Sequence, residues 1–158
     1  MKLTQLIPAG AVKPGLVSVE RNDAIAELVD VLIACGAASP KLREELIKSV
    51  LEREKRGSTG FGRGVAVPHV KHKTVNRMVA AVGLSSRGVE FNALDRQPVF
   101  SIFLLLSPED RPEEHLQAME VIFKNLSKDT FRRLLRQSQT PDEVRALLEE
   151  ADNQLLTG

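Results

Sequence analysis

Cysteine is nearly missing from this chain: Cys35 stands alone among 158 residues. That excludes an intramolecular disulfide and any Cys-x-x-Cys metal or redox pair. Cys35 falls inside an apolar helical pattern and is expected as a buried small hydrophobe. An excess of charge is missing too. Lys and Arg number 22 against 21 Asp and Glu, so the whole-chain balance gives no pull toward nucleic acid or an anionic membrane. No window approaches the roughly 18 consecutive apolar residues of a membrane span. The N-terminus, MKLTQLIPAG, has no apolar core long enough for a signal peptide. A soluble protein of a reducing compartment, the cytoplasm, is expected.

What is there suffices for a core. The apolar fraction is 42% and the charged fraction 27%, ordinary values for a globular domain. Residues 1–15, with Pro8, Gly10, Pro14 and Gly15, read as an irregular lead-in with room for one helical turn, and 16–155 as a single domain. Leu16-Val-Ser-Val19 alternates like a short strand. Asn22-Asp23 is expected to cap a helix carrying Ile25, Leu28, Val29 and Leu32, stopped by Gly36. Ser39-Pro40 starts another, whose inner face holds Leu42, Leu46, Val50 and Arg53. Gly57 to Gly64 reads as a flexible turn, and Val65 to Val67 as a short buried strand. Met78–Leu84 and Val99–Leu106 are apolar runs suited to a sheet covered on both faces. Helices are expected over Pro112–Leu126, Lys128–Gln137 and Pro141–Leu155, the last opened by the capping box Thr140-Pro-Asp-Glu143. This order predicts an α/β fold, a mixed β-sheet flanked by helices on both faces.

The chemistry concentrates in Gly62-Arg-Gly-Val-Ala-Val-Pro-His69-Val-Lys-His72. A reactive site, a metal site and a polar loop after a strand are all open there. Pro68 fixes its own φ and pushes Val67 toward an extended conformation, so His69 is presented on a stiff backbone. A neutral imidazole is a nucleophile near pH 7. A phosphoryl group arriving at it would need donors. Gly57, Gly60, Gly62 and Gly64 allow backbone amides to turn toward an anion. Ser58 and Thr59 add hydroxyls, although such residues more often serve turns. Arg53, at the inner end of an apolar stripe, needs a partner: a phosphoryl group, or a carboxylate such as Glu114.

His115 lies in the first turn of its helix, where backbone amides favour anions. It is placed beside a core stripe of Leu116, Met119, Ile122, Phe123 and Leu126. The run Leu104-Leu-Leu-Ser-Pro108 brings this helix in from the end of a strand, toward His69. The plainer alternatives are a solvated loop histidine at 69 and a core-edge histidine at 115. A zinc reading would join His69, His72 and His115, but the spacing is weak and no cysteine helps, so no metal is expected. The glycine-rich loop lacks the Gly-Lys-Ser/Thr ending of a nucleotide-binding P-loop. Lys55, Arg56, Arg63, Lys71, Lys73 and Arg77 form a basic rim, either solvated or used in docking a partner that carries a phosphoryl group.

From about Leu16 to Ala151 the chain resembles the type-2 IIA domain of the sugar phosphotransferase system, the fructose/mannitol and nitrogen-regulatory group. The resemblance rests on Gly57-Ser-Thr-Gly-Phe-Gly-Arg-Gly-Val-Ala-Val-Pro-His69, on Gly88-Val-Glu-Phe91 with Leu94-Asp95 and Pro98-Val99, and on Glu114-His-Leu-Gln-Ala-Met119. It implies that His69 accepts a phosphoryl group from the phosphohistidine of an HPr- or NPr-type carrier. His115 would be the supporting histidine, and Arg53 would stabilise the phosphoryl group. The loop Ser58, Thr59, Gly60, Gly62 and Gly64 would line its site, with no cofactor. In sugar uptake the acceptor would be a IIB cysteine; in the nitrogen-regulatory type, the more favoured expectation, a target protein would be regulated. A non-catalytic regulatory binding module is the alternative from another class. Val70 stands where the family pattern has a small residue, and His72 is expected to be peripheral.

Overall fold

The central pair of strands is the longest, and its composition explains why. β5 (Val79–Val89) and β6 (Val99–Pro108) form an antiparallel hairpin whose β-branched and aliphatic side chains are buried on both faces. The computed structural model describes residues 1–156 and 158. Beside this hairpin lie β1 (Val12–Lys13), parallel to β5, and β3 (Val65–Ala66), parallel to β6. β2 (Gly60–Gly62) pairs antiparallel with β3 at one edge, and β4 (His69–His72) continues the β3 line along β6. The six-stranded sheet therefore runs β1-β5-β6-β3-β2, with β4 also on β6.

Neighbouring residues of a strand point to opposite faces, and two contacts show what covers each. Gly83, in register with Ile102, lies under α2 (Arg21–Ala34). A Cβ there would come within 2.8 Å of Leu28 and 2.9 Å of Leu16, so only glycine allows this close approach. On the other face Phe103 meets Phe131 of α5 (Asp129–Gln137), ring centroids 6.5 Å apart. α3 (Arg43–Lys55) packs beside α2, while α4 (Pro112–Leu126) and α6 (Pro141–Asp152) join α5. The mixed sheet covered on both faces is as expected.

Local signals placed most helix ends. Gly36 takes φ +80° after α2, the left-handed stop glycine allows. The Thr140 hydroxyl oxygen accepts from the Glu143 amide at 3.1 Å. Pro40–Leu42 forms a short 3-10 turn ahead of α3. Cys35 is half-buried, its thiol 3.4 Å from the Leu32 carbonyl.

Two expectations change at the N-terminal end. The strand expected over Leu16–Val19 is displaced to Val12–Lys13. The chain still follows β5 beyond it, since the Leu16 amide donates to Leu84 and the Glu90 amide to Val19, each at 2.8 Å. Between those bonds the Val17 and Ser18 amides turn to the Glu27 carboxylate instead, each at 3.0 Å. A side chain has replaced the ladder there. The expected irregular lead-in, for its part, is woven into the fold. Leu3, Leu6, Ile7 and Ala11 are core residues, and Leu3–Leu6 forms α1. The Leu3 and Thr4 amides donate to Asp152 of α6 at 2.7 and 3.0 Å, filling orphan donors of a helix start. Arg145 of the same helix donates to the Ile7 carbonyl.

Glu27 is the anion on which this edge rests. Burial would push its carboxyl up, but Lys13, the Ser18 hydroxyl and the two amides outweigh that and hold it at about 2, against an ordinary 4.5. A depressed folded-state value gives stability that is present above the unfolded value and lost as pH falls toward 2. The contribution at neutral pH is at most about 3 kcal/mol. Denaturant unfolding followed from pH 6 to pH 2 should show wild type losing more stability than Glu27→Gln across that window. Parallel curves for the two proteins would refute this.

Candidate active site

The position of His69 follows from an interruption. Pro68 has no N–H to give to a ladder, so the strand along β6 breaks between Ala66 and His69. The Pro68 carbonyl still accepts from Leu105 at 3.0 Å, which keeps β4 in line. His69 opens β4 in register with Leu105, its ring half-buried. Its Nδ1 lies 2.8 Å from the Val67 carbonyl oxygen. A carbonyl only accepts, so Nδ1 carries the proton and the lone pair sits on Nε2. Val70, the departure from the family pattern, pairs with Leu106 and packs against the core.

α4 brings the second ring. His115 is buried, and its Nδ1 is 2.6 Å from the hydroxyl of Ser107, a fully buried residue of β6. The two imidazole centroids are 5.4 Å apart, with planes inclined at 47°. Sequence and structure differ about this helix face. His115, Ala118, Ile122, Asn125 and Leu126 are the buried positions, whereas Leu116 is 62% exposed. A polar ring in a core position, satisfied by Ser107, shifted the expected stripe by one residue.

Both rings are neutral at pH 7. Burial lowers the His69 pKa below 6.5, the Val67 bond opposes it, and the charges of Arg53 and Lys71 lower it further. His115 is held at about 4 by burial, by His69 and by Lys71. Lys71 is exposed, two residues beyond His69 and opposite Ser107 in register. A cation that both rings feel is placed to draw an anion toward them.

The end of α3 departs most from expectation. Arg53 was the residue expected inside; the structure leaves it half-buried, its guanidinium donating to the Gly57 carbonyl at 3.0 Å. Glu114 does not partner it and lies 3.9 Å from Arg111. The inward position belongs to Glu54, 2% exposed. Its carboxylate accepts from the Thr59 amide at 3.1 Å and from the Thr59 hydroxyl. The spacing Leu46, Val50, Glu54 is a run of i, i+4 positions, the one clue in the sequence; hydropathy argued against reading a carboxylate as buried.

The glycine loop is held rather than open. Thr59 is fully buried, so its hydroxyl serves Glu54. Ser58 accepts from the Gly60 amide at 3.1 Å, and the Gly60 carbonyl accepts from Leu94 at 2.8 Å. A Cβ at Gly60 would lie 2.8 Å from that of Ala93. Gly62, Arg63 and Gly64 all have positive φ, making the tight β2–β3 turn. The Arg63 amide donates to Asp95 at 3.1 Å, a pin that sequence reasoning did not assign. Exposed Phe61 stands edge-on to Phe123, centroids 4.9 Å apart.

His72 leaves the site. Three residues along the strand from His69, it faces α3, with Nε2 3.3 Å from Glu45. Its Nδ1 accepts from the Thr74 amide at 3.2 Å, so the proton is on Nε2. The pair His69-x-x-His72 therefore points to opposite faces of the sheet.

Known proteins resemble this chain along nearly its whole length. The family model for the phosphoenolpyruvate-dependent sugar phosphotransferase system, EIIA 2, matches residues 5–151. A nitrogen regulatory protein of Klebsiella oxytoca is 36% identical over 125 residues, 78% of this chain and 77% of that one. The fructose-specific EIIABC component of the phosphotransferase system in Bacillus subtilis is 30% identical over 152 residues, 96% of this chain. The match spans only 24% of that longer protein. The crystal structure of the nitrogen regulatory protein IIA-Ntr from Neisseria meningitidis superimposes with a TM-score of 0.83 at 29% identity, covering 92% of this chain and 98% of that one.

The electrostatics are checked by titrating the ring signals with NMR. Wild type should show His115 with a midpoint near 4 and His69 below 6.5. Lys71→Gln should raise both midpoints, because one cation lowers both. A variant that moves neither would remove Lys71 from the site.

Proposed function

The chain belongs to the EIIA 2 family of the phosphoenolpyruvate-dependent sugar phosphotransferase system, and on that footing we propose that His69 carries the phosphoryl group, received from the phosphohistidine of an HPr- or NPr-type carrier in the cytoplasm. The observation that carries this is the hydrogen bond from His69 Nδ1–H to the Val67 carbonyl. It leaves Nε2 as the nucleophile and holds the ring in one orientation.

In the transfer, the Nε2 lone pair of His69 forms a bond to phosphorus as the donor's N–P bond breaks. That bonding pair returns to the donor ring, which carries a proton on its other nitrogen and so leaves as a neutral imidazole. The phosphorylated ring of His69 gains positive character while Nδ1–H is retained, and the Val67 carbonyl stabilises that charge. Low basicity is useful here, since protonated His69 would have no lone pair to offer. Arg53 and Lys71 supply positive charge for the phosphoryl oxygens. For His115 to donate from Nε2, its Nδ1 must be the acceptor, and Ser107 at 2.6 Å is placed to be the donor. Positioning and charge carry such a reaction, in which a loose phosphoryl group passes in line between two nitrogens. The loop of Ser58, Thr59, Gly60, Gly62 and Gly64 shapes the approach mainly by holding β3 and Pro68 in place.

Similarity to nitrogen regulatory proteins in both sequence and structure supports a regulatory role. There the charge difference between free and phosphorylated His69 selects a target protein. The fructose-specific relative supports the alternative, onward transfer to a IIB cysteine.

Incubation with a phosphorylated HPr-type carrier tests the central step. Wild type should take up acid-labile phosphate on Nε2, and His69→Ala should take up none. His115→Ala should be slowed on the order of 10²-fold, the usual effect of removing one oxyanion donor. Normal labelling of His69→Ala would overturn the assignment.

A further inference from the structure

A carboxylate is buried where a carboxylate is costly. Glu54 lies in the last turn of α3, at the negative end of that helix dipole, and is 2% exposed. Among the described residues no lysine, arginine or histidine nitrogen lies within 4.0 Å of it; its recorded partners are the amide and hydroxyl of Thr59. For stability alone, an apolar side chain completing the Leu46–Val50 stripe would serve as well or better. Something other than stability accounts for an acid in this place.

The hydrogen bonds beyond Glu54 lead to the reactive ring. Glu54 holds Thr59 through two donors. The Thr59 carbonyl accepts from the Val67 amide at 3.1 Å. The carbonyl of the same residue, Val67, accepts the Nδ1 proton of His69 at 2.8 Å. Only Pro68 separates Val67 from His69, and its ring leaves the connection little slack. Fixing the Val67 amide therefore fixes the direction of the Val67 carbonyl, and with it the tautomer and tilt of the imidazole. An amide in place of the carboxylate replaces one acceptor oxygen by an NH2 donor, so it cannot give each Thr59 proton an oxygen of its own as the carboxylate does.

We propose that Glu54 is a positioning residue for His69, acting through Thr59 and the Val67 backbone to keep the ring in its Nδ1–H form with Nε2 free. This rests on the phosphocarrier role of His69 only in its kinetic consequence; the orientation of the ring is a property of the chain alone.

The experiment uses the full chain, labelled with ¹⁵N, as wild type, Glu54→Leu, Glu54→Gln, Thr59→Val and Thr59→Ser. Ring-nitrogen shifts report the tautomer of each histidine, with His72, on the other face, as an internal control. In Glu54→Leu and Thr59→Val the His69 signals should move from pure Nδ1–H toward a mixture with Nε2–H. His72 should be unchanged, and Thr59→Ser should keep the wild-type pattern. Glu54→Gln should fall between. Single-turnover transfer from a phosphorylated HPr-type carrier should then slow on the order of tenfold in Glu54→Leu and Thr59→Val. The carrier concentration for half-maximal rate should stay the same, because docking is untouched. A folded Glu54→Leu or Thr59→Val whose His69 remains pure Nδ1–H overturns the proposal. Should Glu54→Leu fail to fold, Thr59→Val decides, since it removes one hydroxyl and keeps the shape. A wild type that takes no phosphate, with ring shifts that move as expected, would sink the phosphocarrier role and leave the positioning role standing.

Discussion

Everything at the candidate site hangs on one strand laid along β6 in two pieces. Val65–Ala66 and His69–His72 both run parallel to β6, and Pro68 separates them. That pairing puts His69 beside Leu105 and Lys71 beside Ser107. β6 then leads directly into α4, which returns His115 over the same strand end. Residues far apart in sequence meet because a parallel pair and a short connection allow no other placement. The break is as important as the pairing, since it frees the Val67 carbonyl from the ladder to hold an imidazole.

The electrostatic character of the site follows from that geometry. Two histidines 5.4 Å apart, half or wholly removed from water and facing a lysine and an arginine, cannot both hold protons at neutral pH. Neutrality costs the protein nothing at the moment of reaction, because the rings need no deprotonation before attack. The same cations that suppress protonation attract the group to be bound. A single arrangement thus serves both the nucleophile and the charge it receives.

Much of this was legible in the sequence, and the exceptions share a cause. Proline before His69, glycine after α2 and Thr140-Pro-Asp-Glu143 each act within a few residues, so their effects could be read locally. The apolar runs of β5 and β6 announced a covered sheet. β5 nonetheless extends past Leu84 through Ser85, Ser86 and Arg87, where its register with β6 shifts before pairing resumes at Val89 and Val99. The misread positions are buried polar groups satisfied from a distance. Glu54 is inside because Thr59 meets it, and His115 because Ser107 does. Glu27 displaced a strand by capturing two amides. No periodicity reveals such partners, and hydropathy assigns the polar residue outward; Leu116 was placed inside for that reason, and Arg53 by a helical period counted three residues on from Val50. The N-terminal segment was missed likewise, its anchor Asp152 lying at the far end of the chain.

That anchor has an architectural consequence. With the amides of Leu3 and Thr4 bonded to Asp152, the first helix of the fold is clasped to the last. Such a clasp couples the two helices: whatever loosens α1 also leaves Asp152 without its amide partners. The clasp joins α1 to α6, whereas the two site histidines stand on β4 and α4.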